Sequence, residues 1–369
     1  MNTQPEEAPG SAEQSERSES AIAGESAEFE LISIERAAVV GCGVIGAAWA
    51  SRMLLNGVDV AISDPNPDAE QILTEVLGNA IAAYDDLGLP TDQQGSYRIA
   101  GSVADAVADA QFIQESVPER PDVKEGVLAA IEAAAPADTI IGSSTSGIKP
   151  TVMQEGMTNP ERLLVGHPYN PVYLLPVVEV VGGDATTIEN IRRAQGIYAS
   201  IGMRPIHCRV EIDAFIGDRL LEAVWREALW LVNDGVATTQ EIDDIMTHGF
   251  GLRWAQMGLF ETYRVAGGPG GFRHFMEQFG PTLEWPYSKL MDTPDFTPEL
   301  VDTIVEQSDA QSGMHDVREL ERIRDRNVVG FLKVLEANNW AAGTTIAAHR
   351  NQQSEQLVEQ ATVRACHIV

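Results

Sequence analysis

Residues 37–46 read Ala37-Ala38-Val39-Val40-Gly41-Cys42-Gly43-Val44-Ile45-Gly46, an apolar run that ends in the spacing GxGxxG. A short apolar strand turning through glycines into a helical stretch, about Ala47 to Asn56, is the opening unit of a doubly wound parallel sheet. Gly41 permits the tight turn, Gly43 lets backbone approach a pyrophosphate, and Gly46 lets helix and strand pack closely. Cys42 completes the turn, and the amides of Val44 and Ile45 stand at a helix N-terminus, where they can meet phosphate charge. The next apolar run ends at Asp64, a carboxylate able to accept hydrogen bonds from the adenosine ribose hydroxyls. Pro65, Asn66 and Pro67 follow it, with no Arg or Lys nearby to neutralise a 2′-phosphate. The expected cofactor is therefore NAD rather than NADP.

Working outward, short β-rich runs alternate with Ala-rich helical stretches from Ile32 to about Cys208: Ala37 to Val40, Val58 to Ser63, Phe112 to Gln114, Thr139 to Ile141, Leu163 to Val165 and Val177 to Val181. That alternation predicts an α/β, Rossmann-type doubly wound parallel sheet over residues 32–208. From Asp213 the apolar residues recur at helical spacing, as in Phe215, Leu220, Val224, Ala228 and Leu231, which predicts an all-helical domain over 209–343. Gly267 to Gly271 and the segment from Pro281 to Pro298 should break it into separate helices, and Asp316 to Ala337 reads as a further amphipathic helix. Residues 344–369 form a C-terminal extension that reads as helical but solvated. Residues 1–31 carry eight Glu against one Arg with a single aromatic, Phe29, a composition expected to form an acidic disordered tail.

The chain of 369 residues has 55 acidic and 25 basic side chains, a formal net charge of −30. Its four lysines (Lys124, Lys149, Lys289, Lys333) make no basic patch, so nucleic acid is excluded as a partner. No apolar run has the length needed to cross a bilayer, and the N-terminus lacks the basic-then-apolar layout of a secretory signal. Three cysteines without metal-ligand spacing suit a reducing compartment, so the expected location is cytoplasmic and no metal is expected.

Three further stretches carry chemistry: Ser143-Ser144-Thr145-Ser146-Gly147, Gly166-His167-Pro168-Tyr169-Asn170-Pro171 and Val177-Val178-Glu179-Val180-Val181. They bring a hydroxyl, an imidazole and a carboxylate to strand ends beside the cofactor edge. Oxidising an alcohol by hydride transfer needs a base for the hydroxyl proton, and a His held by a carboxylate supplies one near neutral pH. His167 and Glu179 are the natural pair.

On these stretches, with Glu211 to Leu231 (EIDAFIGDRLLEAVWREALWL) and Gly249 to Gly268 (GFGLRWAQMGLFETYRVAGG), the chain resembles the 3-hydroxyacyl-CoA dehydrogenase superfamily over about residues 36–340. Within it the resemblance is closest to the branch that oxidises L-carnitine. The resemblance implies His167 as catalytic base, Glu179 as its orienting acid and Ser146 as the residue that meets the substrate hydroxyl. It places Glu119 and Lys124 near the cofactor and implies a homodimer formed mainly through the helical domain. One position departs from pattern: where acyl-CoA enzymes carry Asn, the stretch Phe215-Ile216-Gly217-Asp218-Arg219-Leu220 has Asp218, a carboxylate beside the substrate.

Coenzyme A carries several phosphate charges, yet from Pro65 to Tyr97 this chain has six acidic residues and no basic one, a surface that should repel it. Carnitine is a short 3-hydroxy acid with a trimethylammonium, which calls for aromatic faces and a nearby carboxylate. Candidates are Tyr169, Tyr173, Phe215, Trp225, Trp254 and Tyr263, with Asp218. Arg253 is the candidate fork for the substrate carboxylate. The alternatives are a dehydrogenase of another short 3-hydroxy acid such as L-gulonate, a 3-hydroxyacyl-CoA enzyme, or an NAD-binding structural protein without activity.

Overall fold

The computed structural model describes residues 30–92, 94–280, 295, 297–300, 302, 303, 307, 314 and 317–366. Residues 1–29, expected to form the acidic tail, and most of the segment from Pro281 to Pro298 lie outside the described residues.

Eight strands form one sheet: β1 (Arg36–Val40), β2 (Asp59–Ser63), β3 (Tyr97–Ile99), β4 (Phe112–Glu115), β5 (Ile140–Ser143), β6 (Leu163–Pro168), β7 (Val177–Gly182) and β8 (Arg204–Cys208). Their order is β3-β2-β1-β4-β5-β6-β7-β8. All neighbours run parallel except β6 and β7, which are antiparallel. The inner strands are buried on both faces because helices cover both, which is why they read as unbroken apolar runs. One face packs Val39, Ile62, Phe112, Leu164 and Val180 against α1 (Val44–Leu55), α2 (Ala69–Leu87) and α6 (Ile188–Ser200). The other packs Val40, Ile113, Ile141, Val165 and Val181, with α3 (Val103–Val107), α4 (Pro121–Ala134) and α5 (Pro150–Gln154) on that side. Strand order reverses between β1 and β4, the crevice where doubly wound sheets bind ligands.

Two strands were not among the apolar runs. β3 is a short edge strand, paired only with β2 and largely exposed, so burial selects no apolar run there. β8 is the opposite edge and contains Pro205 and His207; an edge strand tolerates Pro because one side of its backbone needs no ladder partner.

The second half is helical as expected, with α7 (Gly217–Asn233), α8 (Thr239–Ile245), α9 (Gly251–Ala266), α10 (Gly271–Phe279), α11 (Val317–Ala337) and α12 (Ala342–Cys366). Thr238 and Glu241 close a capping box on α8. The glycines around 267–271 separate α9 from α10 as expected. Among the described residues, no helix is long and apolar enough to cross a membrane.

The C-terminal extension departs from the solvated helix expected of it. In α12, Ile346, His349 and Gln353 are buried, a stripe at helical spacing whose polar members hide it from a hydropathy reading. Arg350 donates to the carbonyls of Leu87 and Gly88 and pairs with Glu336 at 2.8 Å, and Gln352 donates to the Ser200 carbonyl at 2.8 Å. His349 hydrogen-bonds Asn56 and lies edge-on to Tyr84, ring centroids 6.3 Å apart.

Burial, reinforced by the charges of Arg52 and Arg350, lowers the His349 pKa from 6.5 to about 3. Between these values the unfolded chain binds a proton that the folded chain excludes, so this residue's contribution is complete above pH 6.5 and is lost as pH falls. Urea unfolding at pH 7.5 and pH 5 should differ by about 2 kcal/mol from this residue alone. His349→Gln should remove that increment; an unchanged pH slope in the variant would assign it elsewhere.

Candidate active site

At the crevice, Gly41 has φ +93°, and a Cβ there would lie 2.6 Å from the Ser116 carbonyl carbon at the end of β4. A Cβ on Gly46 would lie 1.8 Å from the Gly41 oxygen, whereas one on Gly43 would meet nothing within 4 Å. Gly41 and Gly46 are thus required by packing, while the space over Gly43 is open. The first amides of α1 have no intrahelical acceptor, and Val44 is 54% exposed, so this helix end is open to a ligand. Asp64 ties the loop to β2: its Oδ2 accepts the Cys42 amide at 2.5 Å and its Oδ1 the Asn66 amide at 2.7 Å. Cys42 itself is buried, its thiol pushed up to about 12 by burial and by Asp64, so it serves packing rather than redox chemistry. An open helix N-terminus with a carboxylate at the end of the next strand fits the pyrophosphate and ribose of NAD.

The loop after β5 is held by two acids. Glu115, fully buried, receives Lys124 Nζ at 2.9 and 3.0 Å and Ser143 Oγ at 2.5 Å. Glu119 accepts the Thr145 hydroxyl and, at 3.1 Å, the Gly147 amide. Burial alone would raise the Glu119 carboxyl, but those hydrogen bonds and the Lys124 charge outweigh it and hold it below its usual value. Ser146 is exposed at the tip between Thr145 and Gly147, and among the described residues no hydrogen bond joins it to His167. Lys124, expected beside the cofactor, is 2% exposed and committed to Glu115, with Glu119 at 3.5 Å. Glu115 lies outside the candidate residues of the sequence; its signal is an acid ending a strand otherwise buried throughout.

His167 and Glu179 face each other across the antiparallel β6–β7 pair, where the register makes them direct partners. His167 Nδ1 lies 2.8 Å from Glu179 Oε2, which also accepts Tyr169 Oη at 3.0 Å. Glu179 Oε1 accepts the amides of Ile216 and Gly217 at 2.9 and 3.0 Å, where α7 begins. Burial opposes ionisation of Glu179, but the bonds from His167, Tyr169 and Gly217 prevail and keep its carboxyl below the usual value. Phe215 and Tyr169 flank the imidazole at 5.7 and 5.4 Å between ring centroids. Asp218 Oδ2 stands 3.7 Å from His167 Nε2, the nitrogen that Glu179 leaves free.

Other expected site residues lie apart from this cluster. Tyr173 is buried in the core with its hydroxyl on Asp325, so it is a packing residue and not an aromatic wall for a cation. Trp254 packs on Phe250 at 4.6 Å and Tyr263 stacks on Phe275 at 4.5 Å, both within the helical half. Arg253 is exposed on α9, and Trp225 is exposed on α7. A mostly apolar cavity of about 780 Å³ is lined by Tyr169, Glu179, Gly217, Leu220 and Arg204. Arg204, at the start of β8, is not a candidate by sequence, because nothing along the chain links this edge strand to Glu179.

Residues 36–212 match the 3-hydroxyacyl-CoA dehydrogenase NAD-binding domain, and residues 215–308 match the C-terminal domain of that family. The chain is 58% identical over 332 residues to an L-carnitine dehydrogenase of Mesorhizobium japonicum, covering 89% of this chain and 91% of that one. It is also 58% identical over 316 residues to an L-carnitine dehydrogenase/betainyl-CoA thioesterase of Agrobacterium fabrum, covering 85% of this chain and 64% of that longer protein. Among solved structures, an NAD-dependent 5-formyl-3-hydroxy-2-methylpyridine 4-carboxylic acid 5-dehydrogenase superposes with TM-score 0.70 at 26% identity, covering 82% of this chain and 99% of that one. The cofactor is NAD. The chain belongs to the 3-hydroxyacyl-CoA dehydrogenase superfamily and, within it, to the family of the L-carnitine dehydrogenases.

Proposed function

We propose that the protein oxidises L-carnitine at C3 to 3-dehydrocarnitine. NAD, when bound, accepts the hydride from C3. His167 Nε2 removes the hydroxyl proton, because Nδ1 is committed to Glu179, and the ionised Glu179 stabilises the imidazolium that forms. Ser146, exposed at the loop tip, is the proposed hydrogen-bond partner of the same hydroxyl.

The observation that carries the substrate reading is Asp218 at 3.7 Å from His167 Nε2. In carnitine the quaternary nitrogen is two bonds from the hydroxyl-bearing carbon, so a carboxylate facing the base also faces the cation. The rings of Tyr169 and Phe215 beside His167 supply aromatic surface for the methyl groups. The substrate carboxylate calls for a guanidinium fork, and the candidates are Arg253 on α9 and Arg204, which shares a cavity wall with Glu179 and Tyr169. A homodimer in the cytoplasm is the proposed working form, and the exposed Leu220, Leu221, Trp225 and Phe260 are apolar surface that a second copy would cover.

NADH formation followed at 340 nm against L-carnitine, D-carnitine, 3-hydroxybutyrate, L-gulonate and a short 3-hydroxyacyl-CoA tests this reading. Turnover should be confined to L-carnitine or favour it strongly. Preference for gulonate or the CoA ester would keep the His167 chemistry but remove the cation reading of Asp218. Silence on every alcohol would point to an NAD-binding protein without activity.

A further inference from the structure

We propose that Asp218 is the exit for the proton that His167 takes from the substrate, an inference that rests on reading His167 as the base. In the oxidation the C3–H bond breaks with its electron pair leaving as hydride to NAD. The O–H bond breaks with its proton passing to His167 Nε2, and the oxygen electrons close the carbonyl. The imidazolium must then lose that proton before the next turnover.

Glu179 is badly placed to carry it. Both its oxygens are engaged, by His167, Tyr169 Oη and the amides of Ile216 and Gly217, a set of donors that favours the ionised carboxylate. Nor does the imidazole open directly to water, since its side chain is 7% exposed. Asp218 bridges that gap: its Oδ2 is 3.7 Å from Nε2, one small side-chain rotation from a hydrogen bond, and its side chain is 28% exposed. Burial raises the Asp218 carboxyl above its ordinary value, Glu179 and Glu222 add to the rise, and only His167 opposes it. Tyr169 also faces it, and its own hydroxyl is raised in part by the Asp218 charge. A carboxyl so tuned can hold a proton briefly and pass it to solvent. The proposed cation contact does not block this role, because a trimethylammonium has no N–H and leaves the lone pairs of both oxygens unoccupied.

The test uses Asp218→Asn, the residue type that acyl-CoA members of the superfamily carry here, with Asp218→Glu beside it. In weak buffer Asp218→Asn should lower kcat by about tenfold or more on both L-carnitine and 3-hydroxybutyrate. Added imidazole, a small proton acceptor, should restore it, while the wild type ignores the addition and Asp218→Glu, which keeps a carboxyl, loses less than Asp218→Asn. On the protein without NAD, held acidic enough for the imidazole to carry a proton on both nitrogens, exchange of the His167 Nε2 proton with water, followed by ¹⁵N NMR, should slow by a similar factor. An unchanged kcat with unchanged exchange, or a loss that no small base restores, would overturn the relay. A rise in KM confined to L-carnitine, with kcat kept, would overturn it too but leave the cation reading standing. Wild-type silence toward every alcohol would instead remove the base reading on which the relay depends.

Discussion

His167→Gln should lower kcat on L-carnitine by about 10²- to 10⁴-fold, with NAD affinity unchanged. Glutamine preserves a polar side chain of similar reach, but it has no nitrogen that can accept the hydroxyl proton at neutral pH. The cofactor loop at Gly41–Gly46 runs from the end of β1 into α1, whereas His167 lies on β6, so NAD titration by fluorescence serves as the control for folding. Glu179→Gln should also cost activity, but the double variant should be little worse than His167→Gln. Glu179 acts through the imidazole, and once the imidazole is gone its orientation has nothing left to serve. Retention of activity to within about tenfold in His167→Gln would assign the base elsewhere. Independent, multiplying losses in the double variant would mean that Glu179 contributes by some route other than His167.

The second large effect concerns stability. Lys124→Met should destabilise the fold by about 3–5 kcal/mol, because it strands the fully buried Glu115 without its cation. Met keeps much of the volume of the lysine stem, so the loss reports charge rather than a cavity. Adding Glu115→Gln should recover much of that loss, since the neutral amide costs far less to bury than a lone carboxylate. Urea unfolding of the two variants and the wild type decides the matter. A loss under about 1 kcal/mol in Lys124→Met would mean that Glu115 finds water or another donor. The pair also has a functional side: Glu115 holds Ser143, and Lys124 reaches Glu119, which grips Thr145 and Gly147. Lys124 therefore supports the loop that carries Ser146.

The glycine loop, the acid at the end of β2 and the His167–Glu179 pair were legible in the chain because each obeys a local rule. Glycine spacing answers to turn geometry, an apolar run answers to two-sided burial, and a strand-end acid follows its strand. The helical second half was legible for the same reason, through its 3.6-residue periodicity. The edge strands Tyr97–Ile99 and Arg204–Cys208 were not, since an edge is half solvated and places little demand on composition.

Long-range pairing was the other part that the chain did not display. Tyr173 sits in a stretch that reads as site residues, yet it pairs with Asp325, 152 positions away. His349 and Arg350 looked like part of a solvated tail until packing closed them against Asn56, Leu87 and Gly88. By itself, then, the sequence determined the sheet-then-helix architecture, the NAD loop and the pairing of His167 with Glu179, all of them consequences of neighbours close along the chain. Only the tertiary structure decided which polar side chains face the reaction and which are structural. A buried charge takes the partner that the folded backbone brings within hydrogen-bond reach, and its separation along the chain does not enter that distance.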